Sequence, residues 1–378
     1  MAILLASSFR SEKAYAFARI TEYARPLLRL LARILTGTPV AQEQWKRGVL
    51  LGCDHIGDVL YRTASLPALS RATPNCDWAW ILGEPGGQIA ASDPHVPGGI
   101  VRLPQELSAT PFYALVQLLR AGRYDVVICY DTRRYWKLLL AGVLACIPSR
   151  VGYVHKGFSG LVTHPIAIRW PQPYACYFRD LVSQLAGERY SEQQPVPRVC
   201  PTAADETAAA RWWKMRLTEN ELPVLACSFF SRQPRGNYPL SDFAKVLREV
   251  RASVAFVPIF ICSAVEREKL EAFLQGERLK GIVLAGDLQL PALTCVLQRC
   301  AAAWIADSGI RHLANAAGIP VVFARNYSFR PEEAGRYLAT ETDVAYRNGR
   351  GPVLDLKQAA SVLIFRLTAR DRELVVAA

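Results

Sequence analysis

Asp307, Ser308, Gly309 and His312 are the densest group of chemically capable side chains in the sequence, within AAAWIADSGIRHLANAAGIPVVF at 301–323. An apolar run ends at Asp307, and a hydroxyl and a glycine then open a helix. Free backbone N–H groups and the helix dipole make such a helix start a site for an anion, a phosphate above all. The competing reading is an ordinary N-cap followed by a histidine on the helix surface. A second group is Gly57-Asp58, where a carboxylate stands at a strand-to-helix turn and reads from spacing as an N-cap.

The elements around the first group follow from its composition. The apolar run is a strand, Ala314, Ala316 and Ala317 let the helix lie close to a sheet, and Gly318 and Pro320 stop it before a second apolar strand. Strand, turn, helix and strand make a βαβ unit with parallel, covered strands. The polar cluster then lies at the carboxyl edge of the sheet, where open α/β sheets bind ligands.

The rest of the chain alternates in the same way. Strands are expected at 48–53, 78–82, 124–130 and 149–153, with helices after Asp58, near 108–121, at 134–146 and at 174–187. Residues 188–205 are polar and proline-bearing, and the domain linker is placed there. A second series has strands at 222–229, 254–262 and 282–286 and helices at 240–252, 265–275 and 290–300, before the 301–323 unit. Strands alternating with helices indicate doubly wound parallel sheets. The predicted organisation is an N-terminal extension at 1–47, domains at 48–200 and 201–354, and a C-terminal helix at 355–378. In two-lobed folds such a helix often crosses back to the first lobe.

A length of 378 residues suits two hydrophobic cores. Net charge is +12, which fits nucleic acid, an anionic membrane face or a phosphorylated glycan. No arginine-rich tract interleaved with aromatics and no zinc-finger spacing occurs, so nucleic acid is the weakest of the three. The ten cysteines are scattered, with Cys129, Cys146, Cys227, Cys262 and Cys295 in apolar runs, as expected of buried free thiols in a reducing compartment. MAILLASSFR lacks a secretory pattern, and the longest apolar run, 138–147, is about half a membrane span. The expectation is a cytoplasmic protein, soluble or peripheral. Residues 1–47 carry eight Lys or Arg against three Glu. Arg25, Arg29 and Arg33 form one stripe of a helix whose remainder is Leu27, Leu28, Leu30, Leu31, Ile34 and Leu35. Such a helix can lie on an anionic membrane, or pack on the first domain with a solvated arginine face.

The full spacing Asp307-Ser308-Gly309-x-x-His312-Leu313-Ala314, then Gly318-x-Pro320, resembles the nucleotide-sugar signature of the ADP-heptose:lipopolysaccharide heptosyltransferases, glycosyltransferase family nine. His55-Ile56-Gly57-Asp58-Val59-Leu60, with Thr63, Leu66-Pro67-Ala68-Leu69 and Pro74, is similar to the opening Gly-Asp segment of that family. Asp93-Pro94-His95-Val96 looks like its asparagine-proline turn, Tyr124 to Ile128 like its Tyr-Asp-hydrophobic strand, and Ser149 to Tyr153 like its Arg-hydrophobic-Gly-aromatic segment. The resemblance runs in order from about residue 48 to 340. Its two end motifs are specific, and the middle ones are weak singly.

The resemblance implies a GT-B architecture, two Rossmann-like doubly wound domains facing a central cleft. It also implies transfer of a heptose from ADP-heptose to a lipopolysaccharide inner-core acceptor, an anionic glycolipid at the cytoplasmic membrane face. Inverting transfer needs one base for the acceptor hydroxyl and stabilisation of the leaving diphosphate. By carry-over Asp58 is the base, with Gly57 beside it, and Asp307, Ser308, Gly309 and His312 hold the nucleotide. Where the family carries a lysine, this chain has Gly236, with Arg232 and Arg235 beside it as alternative cations or as solvated loop residues. The Gly-Pro-Thr turn of the family is replaced by Arg325-Asn326-Tyr327-Ser328. Arg133, Arg134 and Lys137, with Asp131 orienting, are candidates for the acceptor, or else a solvated helix face. Glu266 is a candidate partner of the ribose. No Asp-x-Asp or His/Glu cluster of metal-ligand spacing occurs, so neither metal nor cofactor is expected. Two alternatives stay open: the same fold with another nucleotide sugar or acceptor, or a lapsed member that binds without turnover.

Overall fold

The computed structural model describes residues 4, 12–132, 135–217, 221–231, 238–348 and 351–376. The chain divides into two compact units, Met1–Gln193 and Gln194–Ala378, a division inside the polar 188–205 stretch.

In the first unit, helices α1 (Glu12–Tyr23) and α2 (Arg25–Thr36) precede a six-stranded sheet. Its strands are β1 (Arg47–Leu51), β2 (Asp77–Gly83), β3 (Gly99–Leu103), β4 (Val126–Cys129), β5 (Ser149–Tyr153) and β6 (His164–Ile166). Every pairing is parallel, in the order β3-β2-β1-β4-β5-β6. Helices α3 (Ile56–Thr63), α4 (Leu66–Ala72), α5 (Gly86–Ala90), α6 (Phe112–Gly122), α7 (Tyr135–Leu144) and α8 (Tyr174–Leu185) complete it.

After α9 (Ala203–Leu217), the second unit has β7 (Val224–Ser228), β8 (Val257–Cys262), β9 (Ile282–Ala285), β10 (Ala302–Ala306), β11 (Val321–Ala324) and β12 (Glu341–Asp343). They are again parallel, in the order β12-β11-β10-β7-β8-β9. Counted from its own first strand, this is the order of the first sheet. Helices α10 (Leu240–Ser253), α11 (Arg267–Gly276), α12 (Leu290–Leu297), α13 (Gly309–Ala316) and α14 (Pro331–Ala334) connect the strands. A hairpin, β13 (Ala345–Asn348) and β14 (Gly351–Leu354), leads to α15 (Leu356–Val376).

The central strands β4, β7 and β10 are buried at every position, as expected of parallel strands covered on both sides. The edge strands β3, β6 and β12 and helix α9 are absent from the sequence reading. β6 and β12 have three residues each, and β3 is mostly exposed or half-buried, so neither carries an apolar run. α9 buries only Ala209, Trp212 and Leu217, too few to mark a stripe. α15 packs on α10, β10 and β11 of its own unit.

The N-terminal helices belong to the first unit. Ala32 is buried, Leu28 packs at the core, and Arg150 donates to Thr36 Oγ1 at 3.2 Å. The solvated face of α2 carries leucines and isoleucine as well as Arg29 and Arg33. Among the described residues no helix is long and apolar enough to cross a membrane. None of the ten cysteines forms a disulfide. Cys129, Cys227 and Cys262 are buried as expected, whereas Cys146 is exposed and Cys295 partly so. Cys146 lies just past α7 in a left-handed conformation, where the chain turns outward.

Candidate active site

Strand order reverses between β1 and β4 in the first unit, because the chain runs from β1 to β2 on one side and from β4 to β5 on the other. Ligands bind at such switch points. The two strand ends meet closely here. A Cβ on Gly52 would come within 2.2 Å of the Tyr130 ring, so only glycine fits. Tyr130 accepts from Trp80 Nε1 at 2.8 Å and donates to the Cys53 carbonyl at 3.2 Å. Buried Asp54 accepts the amides of Gly83 and Leu107, which fixes the loop leading into α3.

Gly57 and Asp58 form the first turn of α3, whose N-cap is His55. Asp58 is thus not the N-cap that spacing alone suggests. Its Oδ1 lies 3.3 Å from Nη1 of Arg62, which also donates to the Asp58 carbonyl at 2.6 Å. Arg62 is buried, with its guanidinium 4.9 Å from the centre of the Tyr130 ring. Burial opposes its charge, but Asp58 and neighbouring Tyr130 outweigh this and its pKa is raised. Asp131 follows β4 at the same switch point and is buried. Lys137, in the first turn of α7, is exposed beside the Trp136 ring. Arg133 and Arg134 lie outside the described residues.

No metal-ligand group is legible in the sequence, yet the fold gathers two among the described residues. Single ligand atoms of Cys53, His55 and Asp58, and of Asp54, His55 and Glu106, lie within 4.8 Å of one another. All three carboxylates already have protein partners, Arg62 for Asp58, two amides for Asp54, and Ser108 and His55 for Glu106.

In the second unit the switch point lies between β7 and β10. Asp307 follows β10, and Ser308, in extended conformation at φ −146°, is the N-cap of α13. The expected cap hydrogen bond is absent: Ser308 Oγ is buried with no hydrogen-bond partner among the described residues. The orphan amides of the first turn of α13 therefore lack side-chain capping from Ser308. Gly309 is the first helical residue.

Asp307 is held from within its own unit. Arg311 Nη1 donates to Oδ1 at 3.2 Å, and the Asn326 amide donates to Oδ2 at 3.3 Å. Burial raises the Asp307 pKa despite Arg311. Arg311 is fully buried and also binds Glu341 Oε1 at 2.6 Å and the carbonyls of Ala334 and Gly335. Burial would raise the Glu341 pKa, but Arg311, Asn315 and the Tyr337 amide lower it overall. His312 is buried with Nδ1 3.0 Å from the Tyr337 hydroxyl. Asn315 also donates to that hydroxyl, at 2.9 Å.

Arg325 and Asn326, where the sequence departs from the resembled family, are built into this turn. Arg325 pairs with Asp343 at 2.9 Å, and Asn326 supplies the amide to Asp307. Glu266 stands at another strand end, after β8, where its Oε2 accepts from both Ser263 N–H and Oγ in a capping box. Arg232, Arg235 and Gly236 lie outside the described residues. Sequence reasoning missed Arg62 and Arg311. Both stand four residues after a candidate aspartate, the helical spacing that brings an acid and a base together.

Two Rossmann-like units, each with a polar turn at its switch point, define a GT-B-like α/β glycosyltransferase. The pattern of glycosyltransferase family 9 (heptosyltransferase) matches residues 112–324, more than half the sequence, and the chain belongs to this family. Asp58 precedes the matched segment. Among solved structures the chain is similar to the glycosyl transferase family 9 from Veillonella parvula DSM 2008, at 18% identity over 80% of this chain and 86% of that one, with TM-score 0.67. It is similar to E. coli ADP-heptose lps heptosyltransferase II at 17% identity over 86% and 99% of the two chains, TM-score 0.68. E. coli heptosyltransferase WaaC with ADP follows at 17% identity over 84% and 98%, TM-score 0.60. At these identities the likeness establishes the fold. No curated protein matches the sequence.

Proposed function

We propose that this glycosyltransferase is inverting and metal-independent, and moves a heptose from ADP-heptose to a lipopolysaccharide inner-core acceptor. Its place is the cytoplasm, peripheral on the inner membrane. The observation that carries the donor assignment is the Asp307–His312 turn at the β7/β10 switch point, with an uncommitted Ser308 hydroxyl at a helix N-terminus. An ADP diphosphate matches such a site, and the WaaC structure contains ADP.

Asp58 takes the proton from the acceptor hydroxyl as that oxygen attacks the anomeric carbon. The bond from that carbon to the diphosphate oxygen breaks, its electron pair leaves with ADP, and the configuration inverts. Arg62 positions the base through its two bonds to Asp58. On the donor side the α13 amides and Ser308 meet the negative charge growing on the leaving diphosphate. Asp307, turned to Arg311 and Asn326, braces that turn rather than touching the phosphates. A second reading, another nucleotide sugar on the same scaffold, is favoured by the Arg325–Ser328 turn. Its Asn326 amide replaces the family pattern beside Asp307.

Asp58→Asn tests the mechanism with ADP-heptose and heptose-free lipopolysaccharide. Transfer is expected to fall at least about 100-fold, with donor affinity retained. A rate near wild type would remove Asp58 as the base. Turnover with UDP- or GDP-sugars instead would keep the mechanism and replace the donor.

A further inference from the structure

The outward side of α2 is an exposed apolar surface that the glycosyl-transfer chemistry does not use. At 3.6 residues per turn, Leu27, Leu30, Leu31, Ile34 and Leu35 share one side, while Ala32 and Thr36 lie on the other. The inner side is fixed. Ala32 is buried, Thr36 is bound by Arg150, and a Cβ on Gly160 would lie 2.6 Å from the Arg25 carbonyl. α1 is tied down as well, since the Ser159 amide and hydroxyl donate to Glu22 at 2.9 and 2.6 Å. The five apolar side chains on the outer side are between 49% and 70% exposed. They are not a packing face left by a loose helix; they are held outward by a helix locked on its other side.

Charge identifies the occupant. Arg33 borders the apolar face one turn from Leu30, and Arg25, Pro26, Arg29, Leu30 and Arg33 together line a shallow concavity. None of the three arginines has a carboxylate partner within 4.0 Å among the described residues. Unpaired guanidiniums beside a row of leucines complement phosphate headgroups above acyl chains. The described helices cannot span a bilayer, so the contact is interfacial.

We propose that α2 docks the first unit on an anionic phospholipid bilayer. Leu27, Leu30, Leu31, Ile34 and Leu35 enter the headgroup–acyl boundary, and Arg25, Arg29 and Arg33 sit at the phosphates. This rests on the membrane placement in the proposed function and names its surface, without depending on donor or acceptor. The test is sedimentation of the full chain with vesicles free of lipopolysaccharide. Binding to mixed phosphatidylglycerol–phosphatidylethanolamine vesicles is expected, and little to phosphatidylcholine. Arg29→Glu with Arg33→Glu, and separately Leu30→Ser with Ile34→Ser, should each weaken it at least about tenfold. Both pairs are exposed, so an unchanged melting temperature confirms folding. Absence of binding to the anionic vesicles overturns the proposal, as does binding that neither pair alters. A dimer that the serine pair dissociates, with no vesicle binding, assigns the face to a second copy instead.

Discussion

Arg311 serves two carboxylates with one guanidinium, Asp307 at 3.2 Å and Glu341 at 2.6 Å, and its plane lies 3.4 Å from the Phe323 ring centre. Desolvating three ionic groups is costly, and it is offset here by good geometry and two further carbonyl acceptors. Glu341 depends on the charge most, since it is almost wholly buried. Arg311→Met keeps the volume and strands that carboxylate, so the second unit should lose about 3–5 kcal/mol in urea denaturation. A loss below about 1 kcal/mol would mean that the network adds little. The Asp–Arg spacing was readable in the sequence both here and at Asp58. That Arg311 turns Asp307 inward was not, because the deciding partner, Glu341, is thirty residues away on an edge strand.

Helix starts in this chain are of two kinds. Ser263 is bonded reciprocally with Glu266, a complete capping box, whereas Ser308 caps nothing with its side chain. Removal of a bonded cap costs about 1 kcal/mol. Ser263→Ala should therefore lower stability by about that amount, while Ser308→Ala should change it by less than about 0.5 kcal/mol. Ser308→Ala should instead weaken ADP binding about ten- to a hundredfold, the worth of one hydrogen bond to a charged group, measurable by calorimetry. Lost stability with unchanged affinity would make Ser308 an ordinary cap. The same comparison alters the reading of Glu266, whose Oε2 is engaged by the cap.

Acid sensitivity is a property of the whole molecule to which two histidines of the first unit contribute, buried His155 and half-buried His164. Burial pushes the His155 pKa down to about 3 and also lowers that of His164. Unfolded, each returns to about 6.5, so below that pH the unfolded chain binds more protons than the folded one. Their contribution is complete above pH 6.5 and is lost as pH falls, at up to about 1.4 kcal/mol per unit for His155. His155→Phe keeps a ring beside Tyr153 and Trp170 but cannot take up a proton. Chemical denaturation between pH 7 and 5 should show a flatter dependence for this variant. An unchanged slope would place the acid sensitivity elsewhere.

Local chemistry in the sequence determined the parallel α/β sheets, through apolar runs closed by glycine, proline and polar turns. It also determined the Asp307–His312 turn, because a strand end, an N-terminal hydroxyl and a stop signal are all set within about twenty residues. The periodicity of α2 shows two kinds of side chain but not which side meets the protein. Tertiary structure decided that, through Arg150, which binds Thr36, and Gly160, set against the Arg25 carbonyl, both more than a hundred residues from the helix. It likewise decided which strands close the sheets and which carboxylates are engaged inside the fold. Those outcomes rest on partners brought together only by folding, and no local pattern encodes them.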